Sequence, residues 1–261
     1  MTQVFRLFII ANKDLFHLNS LMDKMNNIQL FSILKNIPYE NISKILRLEM
    51  DPNKRPRDSQ TLLSDHQEFH FGGTCFSLVN LVIKSLTVEG FRAYPVQADI
   101  HRRTFPHFFA VAEENDKKYL IDPGYLINTP IEIKENSITI QKNGAIDFVL
   151  QHINKGQYQL QTITNGQHKT RYTFHIEPLC DSKFQENWID SFNYMNAIVA
   201  SRFVDDKFIY INDNYVQIRS KGNIEKYDQE DKALEYLNTY FDLDENIVHT
   251  ANEVLKKYRK K

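Results

Sequence analysis

The chain has 261 residues, of which 42% are hydrophobic and 25% charged, so it can bury a sizeable core in one large domain or several small ones. Its 32 Lys and Arg residues nearly balance 33 Asp and Glu residues, so the overall charge does not favour nucleic acid or a membrane surface as a partner. The two cysteines, Cys75 and Cys180, form neither a disulfide framework nor a zinc-ligand pattern, so we expect no metal.

The N-terminal segment "MTQVFRLFIIANKDLF" is a poor signal peptide, because Arg6 and Lys13 break its apolar run and no small-residue cleavage site follows. No apolar stretch approaches the roughly 18 residues that a membrane helix requires. Unpaired cysteines suit a reducing compartment. We therefore expect a soluble, cytoplasmic protein.

The first third of the chain has helical periodicity. Apolar residues recur at helical spacing from residue 20 to residue 37, and Pro38 ends the pattern. A second helix is predicted from Cys75, capped by Thr74 and ended by Gly90. Its apolar face consists of Leu78, Val79, Val82 and Leu86.

After Gly90 the pattern changes to the period of two that is typical of strands. The segments "AYPVQADI", "HFFAVAEE" and "KKYLID" predict strands, and Asn143-Gly144 and Asn165-Gly166 predict hairpin turns. The segment "KFIYINDNYVQIRS" predicts a further hairpin, and the last 30 residues return to helical spacing. This segregation predicts an α+β fold and not an alternating, doubly wound sheet.

The stretch "FGGTCFSLVNLVIKSL" raises the possibility of a nucleophile. Cys75 lies at a helix start, where free backbone N–H groups and the helix dipole stabilise a thiolate. Gly72 and Gly73 would let a substrate approach and leave N–H groups for an oxyanion. Cysteine is also among the most buried residue types, so the local sequence alone favours an inert, packed thiol.

His107 at the start of one predicted strand and Asp122 at the end of the next make a reactive Cys75 thiol more plausible. If residues 113–116 form a four-residue loop, His107 lies directly opposite Asp122, close enough for the carboxylate to orient the imidazole. A two-residue turn at residues 115–116 would instead pair Phe109 with Asp122 and leave His107 diagonal to it. The sequence permits both registers.

Other candidates are weaker. His66 and His70 have helical spacing but lack a third ligand, so we interpret them as a surface pair. Cys180 has no glycine turn beside it, and we expect it to be a packing residue. No phosphate-binding or dinucleotide-binding motif is present.

Several motifs together resemble the arylamine N-acetyltransferases over residues 21–243: "IPYENI", "GGTCFSLVNLV", "PHFFAVAEE", "YLIDPGY" and "SRF". The resemblance implies that Cys75 is the nucleophile, His107 the base and Asp122 the residue that orients it. It also implies a helical domain over residues 1–90, an antiparallel β-barrel over 91–178 and an α/β lid over 179–261. Such a Cys-His-Asp core is similar to that of cysteine proteases and transglutaminases.

The resemblance further implies a ping-pong reaction in which acetyl-CoA is the co-substrate and a small aromatic amine or hydrazine is the acceptor. The positions that match the amine pocket are Tyr39, Thr74, Tyr125 and Phe203. The positions near the entrance for coenzyme A are Arg103, Thr104 and Gly124.

This chain departs from the family pattern in several places. Phe71 replaces an arginine before the two glycines, and Ser77 replaces an acidic or amide residue after the cysteine, which predicts thin polar support. Arg103-Thr104 and Leu126 replace residues near the donor and acceptor entrances, and Pro123 is also unusual there. Two alternatives remain open: a transglutaminase-like or papain-like amidase, and a relative that binds ligands without catalysis.

Overall fold

The structure is a computed structural model that describes residues 29–101 and 105–259. The N-terminal segment, the beginning of the helix predicted from residue 20, and Arg103 and Thr104 lie outside these described residues. Within the described ranges, no helix is both long and apolar enough to cross a bilayer.

The first part of the chain is mainly helical, as its periodicity predicts. It contains α1 (Gln29–Asn36), the short strand β1 (Tyr39–Glu40), α2 (Ile42–Ile45), α3 (Ser59–Phe69) and α4 (Cys75–Val88). The helix α1 ends two residues before Pro38, whose ring is incompatible with a helix interior. Every residue of the predicted apolar face of α4 is buried.

The middle of the chain forms two four-stranded antiparallel sheets. The first contains β2 (Arg92–Ala98), β3 (His107–Glu114), β4 (Lys117–Asp122) and β5 (Ile127–Ile133) in sequence order. The second contains β6 (Ile138–Gln141), β7 (Asp147–Asn154), β8 (Gln157–Thr164) and β9 (Gln167–His175), also in order.

A closed β-barrel is not confirmed for this part of the chain. Two bridges, Asp99 with Thr173 and Val96 with Pro178, join the β2 side of one sheet to the β9 side of the other. Among the described residues, no ladder joins β5 to β6 at the opposite side. Alternating patterns specify which face of a strand is buried, but they do not specify whether two sheets close on each other.

The last part of the chain combines a sheet with helices. Its elements are α5 (Asp181–Asp190), β10 (Val199–Val204), β11 (Lys207–Asn212), β12 (Tyr215–Ser220), β13 (Asn223–Asp228), α6 (Glu230–Phe241) and α7 (Glu245–Arg259). The sheet order is β1-β10-β11-β12-β13, so an N-terminal strand completes a C-terminal sheet. Tyr39 lies opposite Ser201 across this junction.

Two apolar clusters stabilise the molecule. One joins the N-terminal helices to the C-terminal elements, and the other fills the space between the two four-stranded sheets. In the first cluster, the Phe76 ring lies 4.6 Å from that of Phe108 and 5.3 Å from that of Phe184 between ring centroids. Because Phe76 and Phe108 follow Cys75 and His107 directly, this contact brings the start of α4 to the start of β3.

Candidate active site

Cys75 is the first residue of α4, and the two glycines before it are required by close packing. A Cβ at Gly72 would lie 1.8 Å from the Pro38 carbonyl oxygen, and one at Gly73 would lie 2.2 Å from Ser77 Oγ. The Gly73 N–H donates to the Pro38 carbonyl oxygen at 3.3 Å. The expectation that Gly73 offers its N–H to an oxyanion is therefore wrong, because that donor is already engaged.

Thr74 occupies the N-cap position with extended backbone, but its hydroxyl makes no capping hydrogen bond. Ser77 Oγ instead donates to the Thr74 carbonyl oxygen at 3.2 Å. The first backbone N–H groups of an α-helix have no partner within the helix. The positive end of the α4 dipole therefore faces the Cys75 thiol.

The register of β3 and β4 follows the two-residue turn. Asn115 and Asp116 both have positive φ, 47° and 64°, as a type I′ hairpin turn requires. Ala110 therefore pairs with Ile121, which leaves His107 diagonal to Asp122. The four-residue loop is wrong, yet His107 Nε2 still lies 2.8 Å from Asp122 Oδ2, because an imidazole is long enough to span a diagonal.

Cys75, His107 and Asp122 converge on Gly124. A Cβ at Gly124 would lie 2.8 Å from His107 Cε1, 3.1 Å from Cys75 Cβ and 3.2 Å from Asp122 Oδ1. The Cys75 thiol also has a hydrogen bond with the His107 side chain. Since Nε2 faces Asp122, the second ring nitrogen, Nδ1, is the one available to the thiol.

Asp122 is fully buried and accepts three hydrogen bonds. Besides His107, the Tyr172 hydroxyl donates to Oδ2 at 2.7 Å and the Tyr125 N–H donates to Oδ1 at 3.1 Å. Burial and the neighbouring Asp122 raise the pKa of Tyr172 well above its usual value, so this hydroxyl stays protonated and donates. Tyr172 was not predicted as a site residue, because it lies on β9 and no local sequence signal connects it to β4.

The His107 imidazole is charged at neutral pH. Burial lowers its pKa, but the Asp122 carboxylate, and to a smaller extent Cys75, raise it to a net value of about 10. A proton held on His107 lies beside the Asp122 carboxylate, which stabilises the charged ring. The arrangement therefore favours an imidazolium at His107.

Arg57 supplies polar support that the sequence did not predict. Its buried guanidinium donates from one terminal nitrogen to the Gly72 carbonyl oxygen at 2.6 Å and to Ser43 Oγ at 2.8 Å. The same nitrogen lies 3.9 Å from a carboxylate oxygen of fully buried Glu40, which in turn accepts from the Ser43 N–H and hydroxyl. The sequence predicted few polar contacts around Phe71 and Ser77. This expectation is wrong, because the Arg57 guanidinium, from another segment of the chain, hydrogen-bonds the loop before Cys75.

A second buried cation lies near the thiol. The Lys44 ammonium donates to Ser191 Oγ at 2.6 Å and to the Ser191 carbonyl oxygen at 3.1 Å, and it lies 4.6 Å from the Phe192 ring centroid. Burial lowers its pKa to about 8, against the opposing effect of Cys75. The Lys44 ammonium and the Cys75 side chain therefore interact electrostatically.

Three of the four predicted substrate positions, Tyr125, Thr74 and Tyr39, adjoin this centre. The Tyr125 ring meets the His107 ring edge-on, with 5.0 Å between ring centroids, and Thr74 is buried beside Cys75. Tyr39 forms a β-bridge with Gly73 and lies opposite Ser201 on β10. Phe203 follows two residues later on β10, so Tyr39 and Phe203 share one face of the sheet.

Two minor expectations have different outcomes. His66 donates from Nδ1 to the Phe71 carbonyl oxygen at 2.8 Å, whereas His70 is exposed at the end of α3, so this pair has a structural role. Cys180 is exposed at the N-terminus of α5, so its assignment as a packing residue is wrong. The residue types around Cys180 are compatible both with a buried position and with an exposed helix start, so they did not predict its exposure.

The fold and the convergence of Cys75, His107 and Asp122 define an α+β protein with a cysteine-centred site. A sequence model of the family described as N-acetyltransferase matches residues 22–248. The chain therefore belongs to this family, and the resemblance to arylamine N-acetyltransferases is confirmed. No curated protein matches the chain at a significant level.

Solved structures of arylamine N-acetyltransferases are similar to this chain at low sequence identity. The Mycobacterium abscessus protein has a TM-score of 0.73 at 14% identity, covering 92% of this chain and 89% of that chain. The Salmonella typhimurium protein has a TM-score of 0.71 at 15% identity, covering 96% and 98%. The Mycobacterium marinum protein in complex with CoA has a TM-score of 0.67 at 16% identity, covering 88% and 90%. These likenesses show a shared fold.

Proposed function

We propose that this chain transfers an acetyl group from acetyl-CoA to the nitrogen of an aromatic amine or hydrazine, through an acetyl group on Cys75. The observation that carries this proposal is the hydrogen-bonded series of Cys75, His107 and Asp122 around Gly124. Family membership supports the reaction class, and the CoA complex of the Mycobacterium marinum protein supports the donor.

In the first half-reaction, the Cys75 thiolate attacks the carbonyl carbon of the acetyl thioester. The bond between that carbon and the CoA sulfur breaks, and the CoA thiolate takes the proton of the His107 imidazolium. One thioester replaces another, so the acetyl group stays activated. Asp122 holds the imidazole in place and is itself held by Tyr172 and by the Tyr125 N–H.

In the second half-reaction, the amine nitrogen attacks the acetyl carbon and the Cys75 thiolate leaves. His107, now neutral, accepts the proton that the nitrogen loses, which restores the imidazolium and thiolate. Tyr39, Thr74, Tyr125 and Phe203 are proposed to hold the aromatic ring by stacking and burial. Gly124, Arg103 and Thr104 are proposed positions near the CoA arm.

The domain assignment is part of the same proposal: residues 1–90 carry the nucleophile, 91–178 the histidine and aspartate, and 179–261 a lid. A closed barrel in the middle domain and a cytoplasmic location stay predictions from the sequence. Two free cysteines in the described residues agree with a reducing compartment.

Mass spectrometry of the protein after incubation with acetyl-CoA tests the mechanism. We expect one acetyl group on the Cys75 peptide, release of free CoA, and loss of the acetyl group when an aromatic amine or hydrazine is added. His107→Gln should acetylate at least about a hundredfold more slowly, because it removes the general acid and base.

The second cysteine provides a matched control. Cys180→Ala should acetylate at the wild-type rate, whereas Cys75→Ala should not acetylate at all. A wild-type protein that forms no adduct would contradict the proposal and support a non-catalytic binding relative. Acyl transfer from amide substrates, with acetyl-CoA ignored, would support the amidase alternative.

A further inference from the structure

Lys44 on α2 is a buried cation without a carboxylate partner. Only 8% of its surface is exposed, and its ammonium donates to Ser191 Oγ at 2.6 Å and to the Ser191 carbonyl oxygen at 3.1 Å. Within residues 29–101 and 105–259, no carboxylate forms an ion pair with it. Removing a charge from water is costly when no opposite charge compensates it. Packing alone therefore does not account for a lysine at this position.

The Lys44 ammonium lies against the residue that follows Cys75. Its Nζ is 5.8 Å from the ring centroid of Phe76 and 4.6 Å from that of Phe192. A cation over an aromatic ring is attracted to the ring, and the attraction is stronger where water is excluded. Phe76 is fully buried and is the second residue of α4. The ammonium thus contacts the first turn of the helix that carries the thiol.

The contacts of Lys44 form a closed circuit around the Phe76 ring. Lys44 donates to Ser191, whose hydroxyl donates to the Trp188 carbonyl oxygen at 2.5 Å. Trp188 in α5 stacks on Phe76 with 6.1 Å between ring centroids, and Phe76 is the ring that Lys44 contacts. All four residues of α2 are buried, so the lysine stem starts from a fixed backbone. The Phe76 ring is therefore held from α2 and from α5 through one connected set of contacts.

The ammonium also interacts with Cys75 itself. Burial lowers the pKa of Lys44 to about 8, and the electrostatic interaction with the Cys75 side chain opposes this lowering. The guanidinium of Arg55 borders the same cluster, with its Cζ 5.8 Å from the Phe192 ring centroid. Lys44 therefore brings a charge from α2 to the first turn of α4, the same turn that it contacts through Phe76.

We propose that Lys44 is a positioning residue of the acetyl transfer: it holds Phe76, and with it the first turn of α4, and it places a positive charge beside the Cys75 thiol. This inference rests on the proposed function and adds a residue to it. An opposite charge nearby favours the ionised form of a thiol. Lys44 acts through the position and ionisation of Cys75 and not on the substrate.

Lys44→Met tests this role, because methionine keeps an unbranched apolar side chain and removes the charge. In a Cys180→Ala background, the variant should be acetylated by acetyl-CoA at least about tenfold more slowly, because the charged hydrogen bonds are lost. Its urea midpoint, measured by Trp188 fluorescence, should not decrease, because the only partner it leaves is the neutral Ser191. A residue kept for packing would show the opposite pattern, with lowered stability and an unchanged rate.

Alkylation by iodoacetamide separates charge from shape. The pH at which Cys75 alkylation is half-maximal should be higher in Lys44→Met, because a cation beside the thiol is lost. Lys44→Arg keeps the charge and should restore part of the acetylation rate and part of the lower pH. Ser191→Ala, which loosens the ammonium, should change both in the direction of Lys44→Met. It also keeps the inference testable if Lys44→Met does not fold.

Lys84→Met is the matched control, because Lys84 is an exposed lysine on α4 itself. It should change neither the acetylation rate nor the alkylation profile. Wild-type acetylation and alkylation in folded Lys44→Met, or equal effects of Lys44→Met and Lys84→Met, would overturn the inference. If wild-type Cys75 is never acetylated, the proposed function fails, whereas the alkylation profile still decides whether Lys44 acts on Cys75.

Discussion

His107 has the most strongly constrained environment among the residues of the site. It lies between Asp122 and the Cys75 thiol, with the Tyr172 and Tyr125 rings 5.1 and 5.0 Å away between centroids. Gly124 has no side chain, and a Cβ there would contact all three of Cys75, His107 and Asp122. This packing prevents the imidazole from turning away from either partner.

The raised pKa of His107 makes stability depend on pH. In the folded chain the pKa is about 10, and an unfolded histidine titrates near about 6.5. The stabilisation is therefore complete below pH 6.5 and is lost as the pH rises through 10. With Cys75 replaced by alanine, so that folding exchanges no thiol proton, we expect a decrease of up to about 1.4 kcal/mol per pH unit in that window.

Urea unfolding at several pH values between 6 and 10 measures this effect in a Cys75→Ala background, which wild type and the two variants below share. Asp122→Asn removes the carboxylate that raises the pKa, so its unfolding free energy should decrease less steeply with pH than that of wild type. His107→Gln, which cannot titrate, should have the same shallow dependence. Parallel curves for wild type and both variants would contradict the assignment.

At the scale of elements, Arg57 connects two segments that are distant from it in sequence. It precedes α3, donates to Ser43 in α2 and holds the Gly72 carbonyl oxygen in the loop that leads to α4. It therefore acts on the reaction through the position of Cys75 and not through the substrate. Phe71, where the family has arginine, is compensated by a residue fourteen positions upstream in this chain.

We predict that Arg57→Met slows acetylation of Cys75, because the glycine loop loses its anchor and Glu40 is left buried without its cation. Removing one partner of a buried pair destabilises a protein by about 3–5 kcal/mol. The measurement is the pH profile of Cys75 alkylation in a Cys180→Ala background, together with the acetylation rate. A shift of the pH at which Cys75 alkylation is half-maximal would indicate a positioning role, because loss of stability alone would not move that pH.

Two further variants keep this prediction testable if Arg57→Met does not fold. Arg57→Lys should restore part of the rate, because it keeps the charge near Glu40. Asp65→Asn removes a more exposed partner of Arg57 and should have a small effect, because exposed ion pairs contribute little. Wild-type acetylation in a folded Arg57→Met protein would show that Arg57 is not a positioning residue.

At the scale of the whole molecule, the first and last thirds of the chain share one core. The strand β1 pairs with β10, and the Asn41 side chain donates to the Ala197 carbonyl oxygen at 2.7 Å while accepting from the Val199 N–H at 2.8 Å. Trp188, the single tryptophan, stacks on Phe76 with 6.1 Å between ring centroids. The C-terminal region therefore supports the helix that begins at Cys75.

We predict that Leu237→Ala in α6 destabilises the site around Cys75 although it lies in the C-terminal region. Leu237 is buried in the shared core, and such a truncation costs about 2–5 kcal/mol. Trp188 fluorescence and labelling of Cys75, in a Cys180→Ala background, should report the same lowered urea midpoint. Val88→Ala, at an exposed position, should leave the midpoint nearly unchanged. Two separate midpoints would contradict a shared core.

The elements that carry the site were predictable from the sequence. The strands β3 and β4 have the predicted bounds, 107–114 and 117–122, and α4 begins at Cys75 as expected. Helical and strand periods, a proline and the turn residues are local signals, so short segments suffice to read them. The three motifs that carry the cysteine, histidine and aspartate are also local.

The partners of those residues were decided only by the tertiary structure. Tyr172 hydrogen-bonds Asp122 across 50 positions, and Arg57 hydrogen-bonds the Gly72 carbonyl oxygen across 15. The length of the turn between β3 and β4 was also decided by the structure. A two-residue turn requires positive φ at Asn115 and Asp116, and these residue types adopt both positive and negative φ. Contacts between distant segments leave no periodic trace in the chain, because they are selected by packing of complete elements and not by the neighbours in sequence.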